Sequence, residues 1–163
     1  MGQGSIIGYE INEKTCQISF YNEKDLEPDT LEVDTDNYQI PLIIGKLRDT
    51  WAYGKEAKRL VTIKDGFTAT RLLSKSLAGD KIEFGEETYD AVWLLSQFIQ
   101  MSLQSFPEID GIVFTVPSLS EEMAQMLRGI AVRMNIDKRN IYPGLQGEFL
   151  QLPVLSAEGI VAV

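Results

Sequence analysis

Residues 8–22, GYEINEKTCQISFYN, decide how the rest of the chain is read. A glycine leads a short apolar run, a polar interruption follows at Asn12 to Lys14, and Cys16, Ile18 and Phe20 then alternate with Gln17, Ser19 and Tyr21. Alternation with period two marks a half-buried strand, and a loop this short makes Ile6–Ile11 and Thr15–Tyr21 antiparallel neighbours. The chain therefore begins with a β-hairpin whose bend carries Glu13 and Lys14, with Glu10 just before it.

Working outward, Asn22–Pro28 reads as a charged turn and Leu31–Val33 as a short third strand. Ile40–Ile44 reads as one extended segment in which Pro41, unable to donate to a ladder, belongs at a strand start or edge. Trp51–Tyr53 is another short strand, followed by a small helix over Lys55–Leu60. The leucines at 72, 73 and 77 give Thr68–Leu77 a helical spacing that stops at Gly79. A longer helix is expected over Glu87–Leu103, with Val92, Leu95, Ile99 and Leu103 on one face and Trp93 beside them. Gly111–Val116 is a continuous apolar run, typical of a strand covered on both faces. Ser118 and Glu121 form a capping box for a helix carrying Met123, Met126, Leu127, Ile130 and Met134 as far as Asn135. Ile141–Tyr142 reads as a last strand, Pro143-Gly144 as a turn, and Leu145–Leu152 as a helical segment limited by Pro153. A hairpin and third strand followed by helix, strand, helix, strand, helix predicts an α/β layer domain with a mixed sheet and helices on its faces.

Composition narrows the chemistry. The 163 residues suffice for one domain with a real core, and no apolar run approaches the length of a membrane span. The first residues have neither a basic nor an apolar leader region, so a cytoplasmic location is expected. One cysteine, Cys16, excludes an intrachain disulfide, and the lack of histidine removes ordinary zinc sites and histidine-based triads. A formal charge of −9 argues against a nucleic-acid surface, which needs clustered Lys and Arg. Cys16 and the methionines at 123, 126 and 134 read as core, and Glu83, Glu86, Glu87 and Asp90 as a solvated loop and helix start.

Four stretches carry a resemblance. Gly8–Asn12 with its alternating strand resembles the first phosphate hairpin of the actin, sugar-kinase and heat-shock-chaperone ATPase superfamily. Ile40–Ile44 is similar to the chaperones' threonine-proline segment, Tyr53–Arg59 to their G-x-x-A-K-R helix start, and Ile109–Pro117, IDGIVFTVP, to their strand ending in threonine-valine-proline. The resemblance implies a ribonuclease-H-like mixed sheet with three leading antiparallel strands, then βα units with helices on both faces. It implies that residues 1–163 are the first, N-terminal lobe of such a domain, with a reduced insertion around 45–90. Gly159–Val163 would open a second lobe belonging to the same parent chain, so a piece of a longer protein is expected.

The resemblance also implies ATP and magnesium as cofactors, with nucleotide held between two lobes. Carried over by position, the family's hairpin aspartate falls on Glu10, which would face a magnesium ion through water. Its glycine falls on Asn12 and its hydroxyl on Glu13; Lys14 and Thr15 complete the phosphate-binding turn, Lys14 offsetting the charge of Glu13. Plain turn chemistry accounts for the same residue types. Glu148, with Gln146 as an alternative, matches the acid that positions water after the last strand, and a carboxylate favoured by a helix N-terminus accounts for it equally. The chaperone-type lysine has no clear counterpart, Lys64 and Lys75 being the nearest. Three functions follow: a nucleotide-binding lobe acting as an ATPase only within a longer protein, a non-catalytic protein-binding scaffold that keeps the fold, and, third, a two-metal nuclease with Glu10 among its acids.

Overall fold

The computed structural model describes residues 4–21, 29–136, 139 and 141–145. They form a mixed α/β structure with eleven strands and four α-helices. Two compact units divide the chain: Met1–Ile11, Gln17–Gln39 and Phe106–Val163 make one, Asn12–Cys16 and Ile40–Ser105 the other.

The first unit is built on β1 (Ser5–Ile11), β2 (Thr15–Tyr21), β3 (Asp29–Thr30), β10 (Ile109–Val116) and β11 (Ile141–Leu145), in the order β11-β10-β1-β2-β3, with β4 (Gln39–Pro41) also pairing with β2. β1 runs parallel to β10, and β10 parallel to β11; β3 is antiparallel to β2. Ile7, Tyr9 and Ile11 alternate along β1 and are fully buried, while β10 is buried on both faces from Gly111 to Val116. That is what the apolar run at 111–116 predicts for a strand flanked on both sides. Tyr9 and Phe114, opposite each other in the β1/β10 register, meet edge to face with centroids 5.8 Å apart. Phe20 is half-buried rather than core and packs on Phe106 at 5.3 Å.

Several expected elements shift. The third strand covers Asp29–Thr30 instead of Leu31–Val33, because Val33 N–H and Asn37 N–H turn inward to Asn37 and Asp34 carbonyls in a tight local loop. The helix after β10, α4 (Glu121–Arg133), starts later than the Ser118 box places it. Ser120 is the N-cap, its Oγ accepting from Met123 N–H at 3.0 Å, and this start puts Met123, Ala124, Leu127, Ile130 and Ala131 on one buried face. Pro143 and Gly144 are not a turn: both lie within β11, paired opposite Phe114 and Thr115. β11 ends the described strand order, and an edge position tolerates a proline that cannot donate. The helix expected over Leu145–Leu152 lies, beyond Leu145, outside the described residues.

The second unit holds β5 (Ile44–Leu47), β6 (Thr50–Tyr53) and β7 (Gly66–Ala69), antiparallel in the order β6-β5-β7. The extended segment expected over 40–44 is broken where Ile43 N–H returns to Pro41 C=O at 2.9 Å, so β4 ends and β5 begins. α1 (Gly54–Arg59) follows β6 directly. The helix expected over 68–77 is β7 and then α2 (Leu72–Leu77), separated by Arg71 at φ 55°. The long helix expected from Glu87 begins at Ala91: α3 is Ala91–Ser102, and Glu87–Asp90 is β9, returning beside β8 (Lys81–Phe84). Gly85, at φ 67°, occupies the first turn position of this two-residue hairpin, the place a tight hairpin reserves for glycine. Leu94, Leu95, Phe98 and Ile99 bury one face of α3, with α2 packed against it.

Phe114 is fully buried at the centre of its sheet. Phe114→Ala is expected to lower unfolding free energy by about 3–5 kcal/mol in urea titration, the cost of a large core truncation.

Candidate functional site

The hairpin bend is a tightly closed turn. Asn12 N–H donates to Thr15 C=O at 3.0 Å, and Asn12 Oδ1 accepts from Lys14 N–H at 2.8 Å and Thr15 N–H at 2.9 Å. This is an Asx turn, in which a side-chain carbonyl stands in for backbone. Asn12 thus satisfies the bend from its side chain, and its φ lies outside the left-handed region that the family glycine suggests. The N–H groups of Lys14 and Thr15, which a phosphate would need, point at that oxygen instead. The Lys14 carbonyl accepts from Leu42 N–H at 2.8 Å, and its side chain is exposed.

Glu13 has a partner far along the chain. Its Oε1 accepts from Ser74 N–H at 2.8 Å and its Oε2 from Ser74 Oγ at 2.9 Å. Ser74 lies in the first turn of α2, whose N-cap position is Arg71 in the left-handed region, with no side-chain cap of its own. A helix start leaves N–H groups orphaned and carries partial positive charge, so Glu13 supplies from the hairpin both the acceptor and the charge that the local sequence lacks. Lys64 stands in the loop before β7 and Lys75 on α2.

In the other unit, Glu10 lies near the carboxyl end of β1, half-buried, and Thr115 stands opposite it near the carboxyl end of β10. In a parallel register, opposed residues share a face, so Glu10 and Thr115 face away from the Tyr9–Phe114 pair. Thr115 is 1% exposed, and its Oγ1 has no hydrogen-bond partner among the described residues. A buried hydroxyl without a partner costs about 1–3 kcal/mol, so it calls for an explanation. Glu148 and Gln146 lie outside the described residues. Among the described residues, no group of three acidic or thiol side chains is placed to share a metal ion.

A cluster that the sequence did not disclose surrounds Lys46. In the β6-β5-β7 sheet Lys46 is flanked by Trp51 on one side and Phe67 on the other. The β8–β9 hairpin adds Phe84, stacked on Phe67 at 5.6 Å, and Tyr89, edge-on to Trp51 at 5.3 Å; Trp93 of α3 stacks on Tyr89 at 5.2 Å. Lys46 Nζ donates to Glu87 Oε1 and Tyr89 Oη at 3.0 Å each, and Tyr89 Oη donates to Glu87 Oε2 at 2.8 Å. The ammonium also lies 5.2 Å from the Trp51 ring centroid, within cation–π range. The hydrogen bonds with Tyr89 and then Glu87 hold the Lys46 ammonium above the usual lysine range, and those from Lys46 and then Tyr89 hold the Glu87 carboxyl below the usual glutamate range. The aromatic residue types were visible in the sequence, but their meeting depends on three separate elements.

Two measurements check these contacts. Glu13→Ala should lower stability by about 1 kcal/mol, the scale of a lost helix cap, and Ser74→Ala, which keeps the backbone N–H bond, by less. Because both bonds end on Glu13, the double variant should lose little more than Glu13→Ala alone. For the Lys46 cluster, Glu87 contributes stability above the ordinary glutamate value and loses it as pH falls through its lowered folded value. Lys46 contributes below the ordinary lysine value and loses it as pH rises through its raised one. The stability gap between the natural chain and Glu87→Gln should therefore be open at neutral pH and close in acid, read from urea midpoints across the pH range.

A family model described as "Family of unknown function (DUF5716) C-terminal" matches residues 27–143. No curated protein matches the chain.

Proposed function

We propose, from the premise that the chain belongs to the DUF5716 C-terminal family, that it is a ribonuclease-H-like, first-lobe module of the actin-like kind. Its ligand edge lies at the carboxyl ends of β1 and β10, and its hairpin bend has been turned to structural use. The observation that carries this reading is the placement of Glu10 beside the unpartnered Thr115 hydroxyl. The strand order supports it. From β1 the chain moves to β2 on one side, while β10 passes to β11 on the other, so the connections diverge between β1 and β10. In open α/β sheets, ligands bind outside the carboxyl ends of strands at such a switch point.

Mg-ATP is the ligand proposed for this edge, together with a second lobe of the parent chain. Glu10 would face the hydrated magnesium and Thr115 would supply a hydroxyl donor; bound nucleotide brings phosphate charge and a phosphoryl group. Asn12, Glu13 and Thr15 do not fit phosphate, because Asn12 Oδ1 already takes the Lys14 and Thr15 N–H groups and Glu13 is committed to Ser74. Lys14, with its exposed side chain, is the member of the bend that still suits an anion. Binding without hydrolysis by this chain alone is the expected behaviour. The second reading is a non-catalytic protein-binding scaffold, and the Glu13–Ser74 contact favours it, since it spends the bend on holding α2.

Titration with Mg-ATP, followed by backbone amide shifts, tests the choice. The first reading expects shifts centred on Glu10 and Thr115, with affinity on the order of mM, abolished by Glu10→Ala. Thr115→Val should weaken binding while raising stability of the free chain by about 1 kcal/mol, since it removes an unsatisfied buried hydroxyl. No shift at these residues with about 10 mM Mg-ATP, a concentration well above that affinity, would leave the scaffold reading.

A further inference from the structure

We propose that the corner formed by Asp90 and Trp93, at the start of α3, docks an arginine-bearing segment of a partner protein. Trp93 is 36% exposed although it stacks on Tyr89, so part of an indole is left at the surface. Its position is fixed: Tyr89 and Trp51 hold the ring from two sides, at 5.2 and 5.5 Å. A pre-set ring loses little freedom when a partner binds.

Charge selects the partner. Residues 80–90 expose Asp80, Glu83, Glu86, Glu87 and Asp90 against the single cation of Lys81, and α3 itself carries no charged residue. Glu87 is engaged by Lys46, whereas Asp90, at the N-cap position of α3, makes no capping bond. Asp90, extended at φ −68° and ψ 137°, stands three residues before Trp93, so a carboxylate and an indole both belong to the start of α3. A guanidinium is the group that stacks on an aromatic face and pairs with a carboxylate in one plane. The Lys46 ammonium is the internal precedent. It lies over Trp51 while paired with Glu87, so this cluster already joins a cation to a ring and an acid. The docking corner rests on different residues from the proposed nucleotide edge and does not depend on it.

The chain has two tryptophans, so Trp51→Phe leaves Trp93 as the sole reporter. In that background hexa-arginine should change Trp93 emission and bind about tenfold more tightly than hexalysine, with hexaglutamate inert. By calorimetry in the natural chain, Trp93→Leu should weaken hexa-arginine about tenfold and Asp90→Asn about threefold. Equal affinity for the two basic peptides, unchanged in both variants, would mean charge attraction alone and would overturn the proposal. A response to neutral phosphatidylcholine vesicles with none to hexa-arginine would overturn it too. Should Trp93→Leu fail to fold, Asp90→Asn and the arginine-to-lysine ratio still decide.

Discussion

The parallel pairing of β1 with β10 is the constraint from which the rest of the structure follows. Two parallel strands cannot be joined by a tight turn, so the chain must leave β1 and travel before it can return in the same direction. It leaves through the shortest route open to it, the Asn12 bend into β2, and comes back only at Ile109. The whole of the second unit lies within that excursion in chain order. Burial drives the pairing: Ile7, Tyr9 and Ile11 on β1 and the unbroken run from Gly111 to Val116 on β10 have almost no exposure. At about 25 cal/mol per Å² of apolar surface, strands so composed are stable only when covered on both sides.

The same constraint accounts for what was legible in the sequence. β1, β2 and β10 declare themselves because each satisfies its pattern locally, by alternation or by an unbroken apolar run. α4 was legible as an apolar stripe, but its start was not: Ser118 and Ser120 both have acids behind them, and the stripe's phase decides between them. Glu87–Asp90 is strand where a helix from Glu87 is expected, because Asp90 and Tyr89 pair back to Lys81 and Ile82 before the apolar face of Leu95 and Ile99 begins its helix at Ala91. Gly85 was the signal that should have separated the two. Pro143-Gly144, expected as a turn, is strand for a different reason. Both are turn formers by propensity, yet parallel register against β10 overrides propensity at an edge.

The candidate site divides in the same way. Asn12 could be read as a turn residue from its type alone. The Glu13–Ser74 contact could not, because its partners are 61 residues apart and neither is unusual where it stands. α2 begins without a capping side chain, and that local deficiency is the one sequence-level trace of a distant acceptor. Lys46 was equally hidden. A lysine inside IIGKL looks like a solvent-facing position of a strand, and only the arrival of Trp51, Phe67, Phe84 and Tyr89 around it makes that position the inside.

Two of the acids in this chain, Glu13 and Glu87, are therefore engaged in tasks that a reading by residue type assigns to ligand binding or to solvent. Glu13 answers a helix start; Glu87 answers a buried ammonium and a phenol. Each replaces water with a fixed donor, and each would have to be released before it could serve another cation. Thr115 is the reverse case, since its hydroxyl has lost water and gained no partner among the described residues. Sites are better sought where such an account fails to close than where charge is merely dense. By that criterion, the carboxyl ends of β1 and β10 outrank the hairpin bend, even though the bend carries the more familiar sequence.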